Sequence, residues 1–114
     1  MLEVTIYRFG VLEDGIVDFG FRELGHLTQH QIILGVLKED LNCKVTGFLE
    51  SPTDIYCTLC WNDIEFEFNH HYMLGNIIRT VPEHADELWR FANQAANIIN
   101  EKIERAQMAK SSSD

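Results

Sequence analysis

Residues 55–69 read I-Y-C-T-L-C-W-N-D-I-E-F-E-F-N, and this stretch decides the fold. On both sides of Asn62-Asp63, apolar residues occupy every second position, which is the period of a β-strand that buries one face. The dipeptide Asn62-Asp63 is typical of a two-residue hairpin turn. The stretch therefore predicts an antiparallel hairpin. Its buried face would carry Ile55, Cys57, Leu59, Trp61, Ile64, Phe66 and Phe68.

Periodicity and turn residues predict the elements outside this hairpin. In chain order they are strands at 2–12 and 16–21 around a turn at Glu13-Asp14-Gly15, a helix at 28–41, a strand at 44–49, a short strand at 76–80 and a helix at 83–105. We expect Thr28 and Gln31 to form a capping box at the start of the first helix.

The order β-β-α-β-β-β(-β)-α predicts an α+β fold, in which two helices pack on one face of an antiparallel sheet of five to six strands. A chain of 114 residues fits one domain. We assign residues 1–108 to that domain and expect the small, polar segment 109–114 to be a disordered tail. No apolar run approaches the length of a membrane span, and the first residues do not resemble a secretory signal. The three cysteines make a poor disulfide framework, so we expect a reduced, cytoplasmic chain.

The formal net charge of −9 is unevenly placed along the chain. Residues 1–78 contain 4 basic and 12 acidic residues, and 4 − 12 gives −8; residues 79–114 contain 5 and 6, which gives −1. No Lys or Arg lies between Lys44 and Arg79. Such a field repels nucleic acid phosphates and attracts a basic protein. An acidic surface also serves solubility alone, and that alternative stays open. The acids inside the gap are Glu50, Asp54, Asp63, Glu65 and Glu67.

Cys57, Cys60, His70 and His71 form a nominal zinc ligand set of two thiolates and two imidazoles. Residues three apart in a strand point to opposite faces, so Cys57 and Cys60 would not reach one ion. A reactive thiol also needs a nearby cation or a helix N-terminus, and this region offers neither. We therefore predict no metal site and no cofactor, and keep a small zinc-binding protein as a less favoured alternative.

The pair Glu65 and Glu67 is the main candidate for acid–base chemistry, but an open sheet face supplies no desolvated cleft. The sequence has no P-loop, G-x-G-x-x-G, G-x-S-x-G or H-E-x-x-H motif. We therefore predict a binding module that is not an enzyme. The free sheet face would offer acids for steering and Tyr56 as an aromatic contact. The predicted partner-binding residues are Glu50, Asp54, Tyr56, Asp63, Glu65 and Glu67.

Residues 64–92 carry a resemblance to a known class of proteins. The strand I-E-F-E-F-N at 64–69 is followed by H-Y-M-L-G-N-I-I at 71–78, and Pro82-Glu83 then opens a terminal amphipathic helix. About a quarter of the chain thus resembles small bacterial immunity proteins of polymorphic or contact-dependent toxin systems. The resemblance implies a protein partner, often a basic toxin nuclease.

Two other classes of binding protein remain open. Secretion chaperones for effector proteins are also small, acidic and α+β, but they dimerise through an apolar surface and mostly begin with a helix. A phage-type inhibitor that imitates nucleic acid would carry its acids in rows at phosphate spacing.

Overall fold

A computed structural model describes residues 3–9 and 15–112, with side chains described as far as residue 109. Its elements follow the predicted order β-β-α-β-β-β-β-α and confirm the α+β class. They are β1 (Thr5–Arg8), β2 (Val17–Arg22), α1 (Leu27–Glu39), β3 (Lys44–Glu50), β4 (Ile55–Trp61), β5 (Ile64–His71), β6 (Gly75–Thr80) and α2 (Ala85–Ser112), with a single 3₁₀ turn at Pro82–His84 before α2.

The six strands form one sheet in the order β1-β2-β6-β5-β4-β3, and every neighbouring pair is antiparallel. The helix α1 carries the chain from β2 to the far edge of the sheet, where β3 begins. From β3 the chain returns strand by strand, and β6 closes the gap against β2. Strands that are distant in sequence, β2 and β6, therefore become neighbours.

The hairpin of β4 and β5 forms as predicted. Both turn residues have positive φ, 49° at Asn62 and 63° at Asp63, as a two-residue type I′ turn requires. The register pairs Leu59 with Phe66, and these two side chains are 0% and 3% exposed. Alternation therefore places one side of each strand against the helices. We call the helix-covered side of the sheet the inner face and the opposite side the outer face.

Aromatic side chains join the inner face to α2. The ring centroid of Phe91 in α2 lies 4.6 Å from that of Trp61 and 5.4 Å from that of Phe66. Farther along the inner face, Phe21 and Phe68 meet edge to face at 5.8 Å. Each buried phenyl group stabilises the fold by about 2 to 3 kcal/mol relative to an exposed one. The two contacts of Phe91 anchor the sheet to α2.

The structure differs from the predicted elements in the capping box of the first helix and in the end of the last helix. The Thr28–Gln31 capping box is wrong: α1 begins at Leu27, and the side chain of Gln29 accepts a hydrogen bond from the backbone N–H of His26 at 2.9 Å. The helix α2 continues to Ser112, four residues past the predicted domain end at 108. Residues 106–110 are all good helix formers, which explains the extension. Residues 113–114 of the predicted tail, and 10–14 of the predicted first hairpin, lie outside the described residues.

Candidate functional site

The outer face divides into a covered half and an open half. On the covered half, the ring of Tyr7 in β1 lies over Gly20 in β2 so closely that a Cβ on Gly20 would come within 2.5 Å of the ring. The guanidinium of Arg22 lies 4.9 Å from the centroid of the same ring. Ile77, which pairs with Gly20 and points to the outer face from β6, is only 2% exposed. The open half consists of β5, β4 and β3.

Three of the predicted binding residues lie together on the open half. Glu65 and Glu67 alternate with buried phenylalanines along β5, and the register places them opposite Cys60 and Thr58 of β4. Tyr56 points to the same face of β4 and is 44% exposed. This group of an aromatic ring and two carboxylates is the part of the prediction that the fold brings together.

The segment without Lys or Arg does not produce a sheet face without positive charge. In register, Arg79 of β6 stands between Glu67 of β5 and Asp18 of β2. Its guanidinium donates two hydrogen bonds to the Asp18 carboxylate, at 2.9 and 3.0 Å, and Asp18 is only 2% exposed. Two charge-assisted bonds compensate the buried carboxylate. Arg79 was missed because the segment without Lys or Arg ends just before it, and only the position of β6 in the sheet brings Arg79 next to the acids.

A pocket of about 320 Å³ opens where β5 and β6 separate. The pairing of these strands covers Glu67 to His71, so the start of β5 has no pair in β6 among the described residues. Polar and apolar side chains share the lining, as is usual for binding pockets. They include Thr58, Glu65, Phe66, Glu67, Arg79 and Val81.

The other three predicted residues lie elsewhere. Asp63 occupies the tip of the β4–β5 turn and is exposed. At the opposite end of β4, Asp54 accepts a hydrogen bond from the backbone N–H of Tyr72 at 3.0 Å, which ties two turns together. Glu50 pairs with the inward-facing Ile55 and therefore points to the inner side of the sheet edge. The alternation of side chains between the two faces was worked out for β5 but not for β3. In β3, a bulge between Val45 and Gly47 reverses the face to which each later side chain points.

The cysteines lie on opposite faces, as strand parity predicted. Cys57 is buried under α1 at 0% exposure, whereas Cys60 is half-buried on the outer face. Burial raises the pKa of the Cys57 thiol, and it raises that of Cys43 to about 12, with the neighbouring Cys60 adding to the effect. Within the described ranges, no three His, Cys, Asp or Glu side chains are placed to hold a metal ion.

The two histidines at the end of β5 have separate structural contacts. The Nδ1 of His70 lies 3.0 Å from Oδ1 of Asn76, and the Nδ1 of His71 accepts from the backbone N–H of Met73 at 3.1 Å. The amide of Asn76 also donates to the carbonyls of Leu24 and His26, at 2.7 and 3.1 Å. These bonds hold the β2–α1 loop against the sheet and fix His26 in the extended conformation of a helix N-cap. Sequence reasoning missed this role, because a lone Asn in a short strand has no distinctive pattern.

Exposed apolar side chains also border the open half. In β3, Phe48 and Leu49 are 54% and 67% exposed; in the β5–β6 turn, Tyr72 and Met73 are 66% and 72% exposed. Leu49 lies directly beside Tyr56 in the register of β3 and β4. Two features of the sequence could have indicated these exposed residues: the consecutive apolar pair Phe48-Leu49 and the apolar triplet that begins at Tyr72. These residues make the surroundings of Tyr56 more apolar than the prediction held.

Comparison of this chain with protein families, with curated proteins and with solved structures finds no significant match. The fold and the site therefore define it only as a small α+β chain with one open sheet face. Neither helix, over the residues described, combines the length and apolar character needed to cross a bilayer.

Proposed function

We propose that this chain is a binding protein, without enzymatic activity, that binds and neutralises a basic protein partner, as an immunity protein does for its toxin. One observation carries the proposal: Glu65 lies exposed on an open sheet face, at a pocket of about 320 Å³, and shares that face with the exposed ring of Tyr56. Binding surfaces are typically built from an aromatic anchor with charges that steer the partner.

The charges beside the pocket favour a cationic group of the partner. Glu65 and Glu67 line the pocket together with Arg79, which lies in register between Glu67 and Asp18. Asp18 already binds Arg79, and the amide of Asn69 donates to Glu67 at 3.1 Å. Glu65 is thus the carboxylate best placed to bind a lysine or arginine of the partner, and the net charge of −9 accelerates its approach.

Arg79 also bears on the competing classes. A chain that imitates nucleic acid needs an uninterrupted row of acids, and Arg79 interrupts this row between Glu67 and Asp18. A basic protein partner is compatible with this arrangement, because a single lysine or arginine of that partner needs only one or two carboxylates.

The test is calorimetric titration against the protein encoded beside this chain in its genome. Glu65→Lys should weaken binding at least tenfold, which corresponds to about 1.4 kcal/mol. Glu104→Lys makes the same charge change on an exposed position of α2, and binding should then stay within about twofold of the wild type. Equal affinities for the two variants would contradict the assignment of the site, and the absence of any binding by the wild type would contradict the proposed partner.

A second variant examines the aromatic contact. Tyr56→Ala removes a ring that is already 44% exposed, so the fold should tolerate the change. We expect binding to weaken by about 1 to 2 kcal/mol because aromatic groups carry much of an interface's energy. A double Glu65→Lys/Glu67→Lys variant is less informative, since a lysine at 67 would face Arg79 and lose the bond from Asn69.

A further inference from the structure

The strand β3 forms one edge of the sheet, and among the described residues no strand pairs with its free edge. It is seven residues long, and every residue except the half-buried Gly47 is exposed. Phe48 and Leu49 are 54% and 67% exposed, on opposite faces of the strand. A long edge with apolar side chains is a template for another strand.

The pairing of β3 with β4 shows which backbone groups point outward. The N–H of Cys57 donates to Oδ1 of Asn69 in β5, so the backbone groups of Cys57 point toward β5. The carbonyl of the next residue, Thr58, accepts from Oγ1 of Thr46 and points toward β3. Cys57 and Phe48 therefore form a non-hydrogen-bonded pair, and the N–H and C=O of Phe48 point toward the open edge.

The side chains of this edge complement a second copy of the same strand. In an antiparallel pair centred on Phe48, the two Phe48 residues stand opposite each other on the inner side. On the outer side, Leu49 of each copy lies opposite Gly47 of the other, where the glycine leaves room for it. The nearest atom to the position of an added Cβ on Gly47 is Oγ1 of Thr58, at 3.4 Å, and Thr58 belongs to β4 on the side away from the free edge.

The charges of β3 select the antiparallel direction. The strand begins with Lys44 and ends with Glu50, and both side chains are exposed. Parallel pairing in register would align Lys44 with Lys44 and Glu50 with Glu50, whereas antiparallel pairing centred on Phe48 separates these like charges along the strands. The bulge between Val45 and Gly47 distorts the first part of the strand, so regular pairing is confined to the part that follows it.

We propose that two copies of this chain associate through β3, antiparallel and centred on Phe48, and so form a closed twofold dimer with a continuous sheet. The two Phe48 residues exchange a pair of backbone hydrogen bonds across the twofold axis. Such an interface is self-complementary and stops at two copies. The open half of the outer face, with Tyr56 and Glu65, stays accessible on both copies.

Sedimentation equilibrium of the full chain tests the proposal. We expect twice the chain mass of 13.2 kDa for the wild type. Phe48→Glu and Leu49→Lys should each give the monomer mass, because they place like charges near the axis. The control Met108→Lys alters an equally exposed apolar side chain on α2, at 68% exposure, and should remain dimeric. A monomeric wild type at millimolar chain concentration overturns the proposal and leaves the edge to a strand of another protein.

Cysteine pairing tests the register, in a chain whose half-buried Cys60 is replaced by serine. Opposed residues of a hydrogen-bonded antiparallel pair have Cα atoms about 5.5 Å apart, which suits a disulfide. Phe48→Cys should therefore give a covalent dimer in air. The two copies of residue 44 would lie about 26 Å apart along the strands, so Lys44→Cys should stay monomeric on a non-reducing gel. Crosslinking at both positions, or only at 44, overturns the proposed register. Neither result alters the binding expected of Glu65, so failure of the dimer and failure of the proposed function are separable.

Discussion

Replacing Asn76 with alanine tests how the β2–α1 loop is held to the sheet. Asn76 lies in β6, is 1% exposed and makes three hydrogen bonds. Its Oδ1 lies 3.0 Å from the Nδ1 of His70, and its Nδ2 donates to the carbonyls of Leu24 and His26. Asn76→Ala removes all three bonds and leaves the two buried partners, the His70 ring nitrogen and the Leu24 carbonyl, without a replacement.

The size of the effect follows from burial. A buried polar group that loses its partner costs about 1 to 3 kcal/mol. His26 is exposed and water can replace its bond, so two groups carry most of the cost, and we expect Asn76→Ala to lower the free energy of unfolding by about 3 kcal/mol. Denaturation in urea measures this loss, which is a large part of the ~5 to 15 kcal/mol typical of a domain. Amide hydrogen exchange at Leu24 and His26 should accelerate as well.

An exposed asparagine provides the matched control. Asn97 lies on the solvent side of α2, and Asn97→Ala should change stability by no more than about 0.5 kcal/mol. A loss below about 1 kcal/mol for Asn76→Ala would show that water or a shifted loop satisfies the same groups. The three hydrogen bonds of Asn76 would then contribute little to the stability of the fold.

Three further predictions concern titration, packing and thiol reactivity. Burial lowers the pKa of His30 from 6.5, so below this pH the unfolded chain binds a proton that the folded chain does not. The free energy of unfolding should therefore fall as the pH drops below 6.5, by up to about 1.4 kcal/mol per pH unit. Urea denaturation at stepped pH measures this fall. Gly20→Ala should cost about 1 to 3 kcal/mol, because its Cβ would overlap the ring of Tyr7, as thermal unfolding would show. A thiol reagent at pH 8 should modify Cys60 first in the folded chain, since burial raises the pKa of Cys43 to about 12.

Each of these has an outcome that contradicts it. A His30→Gln variant should lose the dependence on pH below 6.5 that His30 causes, and an unchanged profile would assign the effect to other groups. Adding Tyr7→Ala to Gly20→Ala should relieve the overlap, so the double variant should cost less than the two single changes together. Equally fast modification of all three thiols in the folded chain would contradict their burial.

Local pattern was sufficient for the β4–β5 hairpin and insufficient for its surroundings. The alternation from Ile55 to Phe68 and the dipeptide Asn62-Asp63 specify the strands, the turn and the inward side chains, because each depends on neighbours in sequence. The position of Arg79 opposite Glu67 depends on the insertion of β6 between β2 and β5, which no local pattern specifies. The same insertion creates the pocket, so its existence could not be predicted from the sequence.

The way in which the covered half is closed supports our proposal that the open half binds a partner. Tyr7 fills the space above Gly20, and the neighbouring Ile77 of β6 is only 2% exposed. On the other half, the ring of Tyr56 remains 44% exposed. An exposed aromatic ring that shares a sheet face with the exposed carboxylate of Glu65 supports our proposal that this face binds a partner. Reversing the charge of Glu65 tests this surface, whereas the substitutions in β3 test the proposed association of two copies.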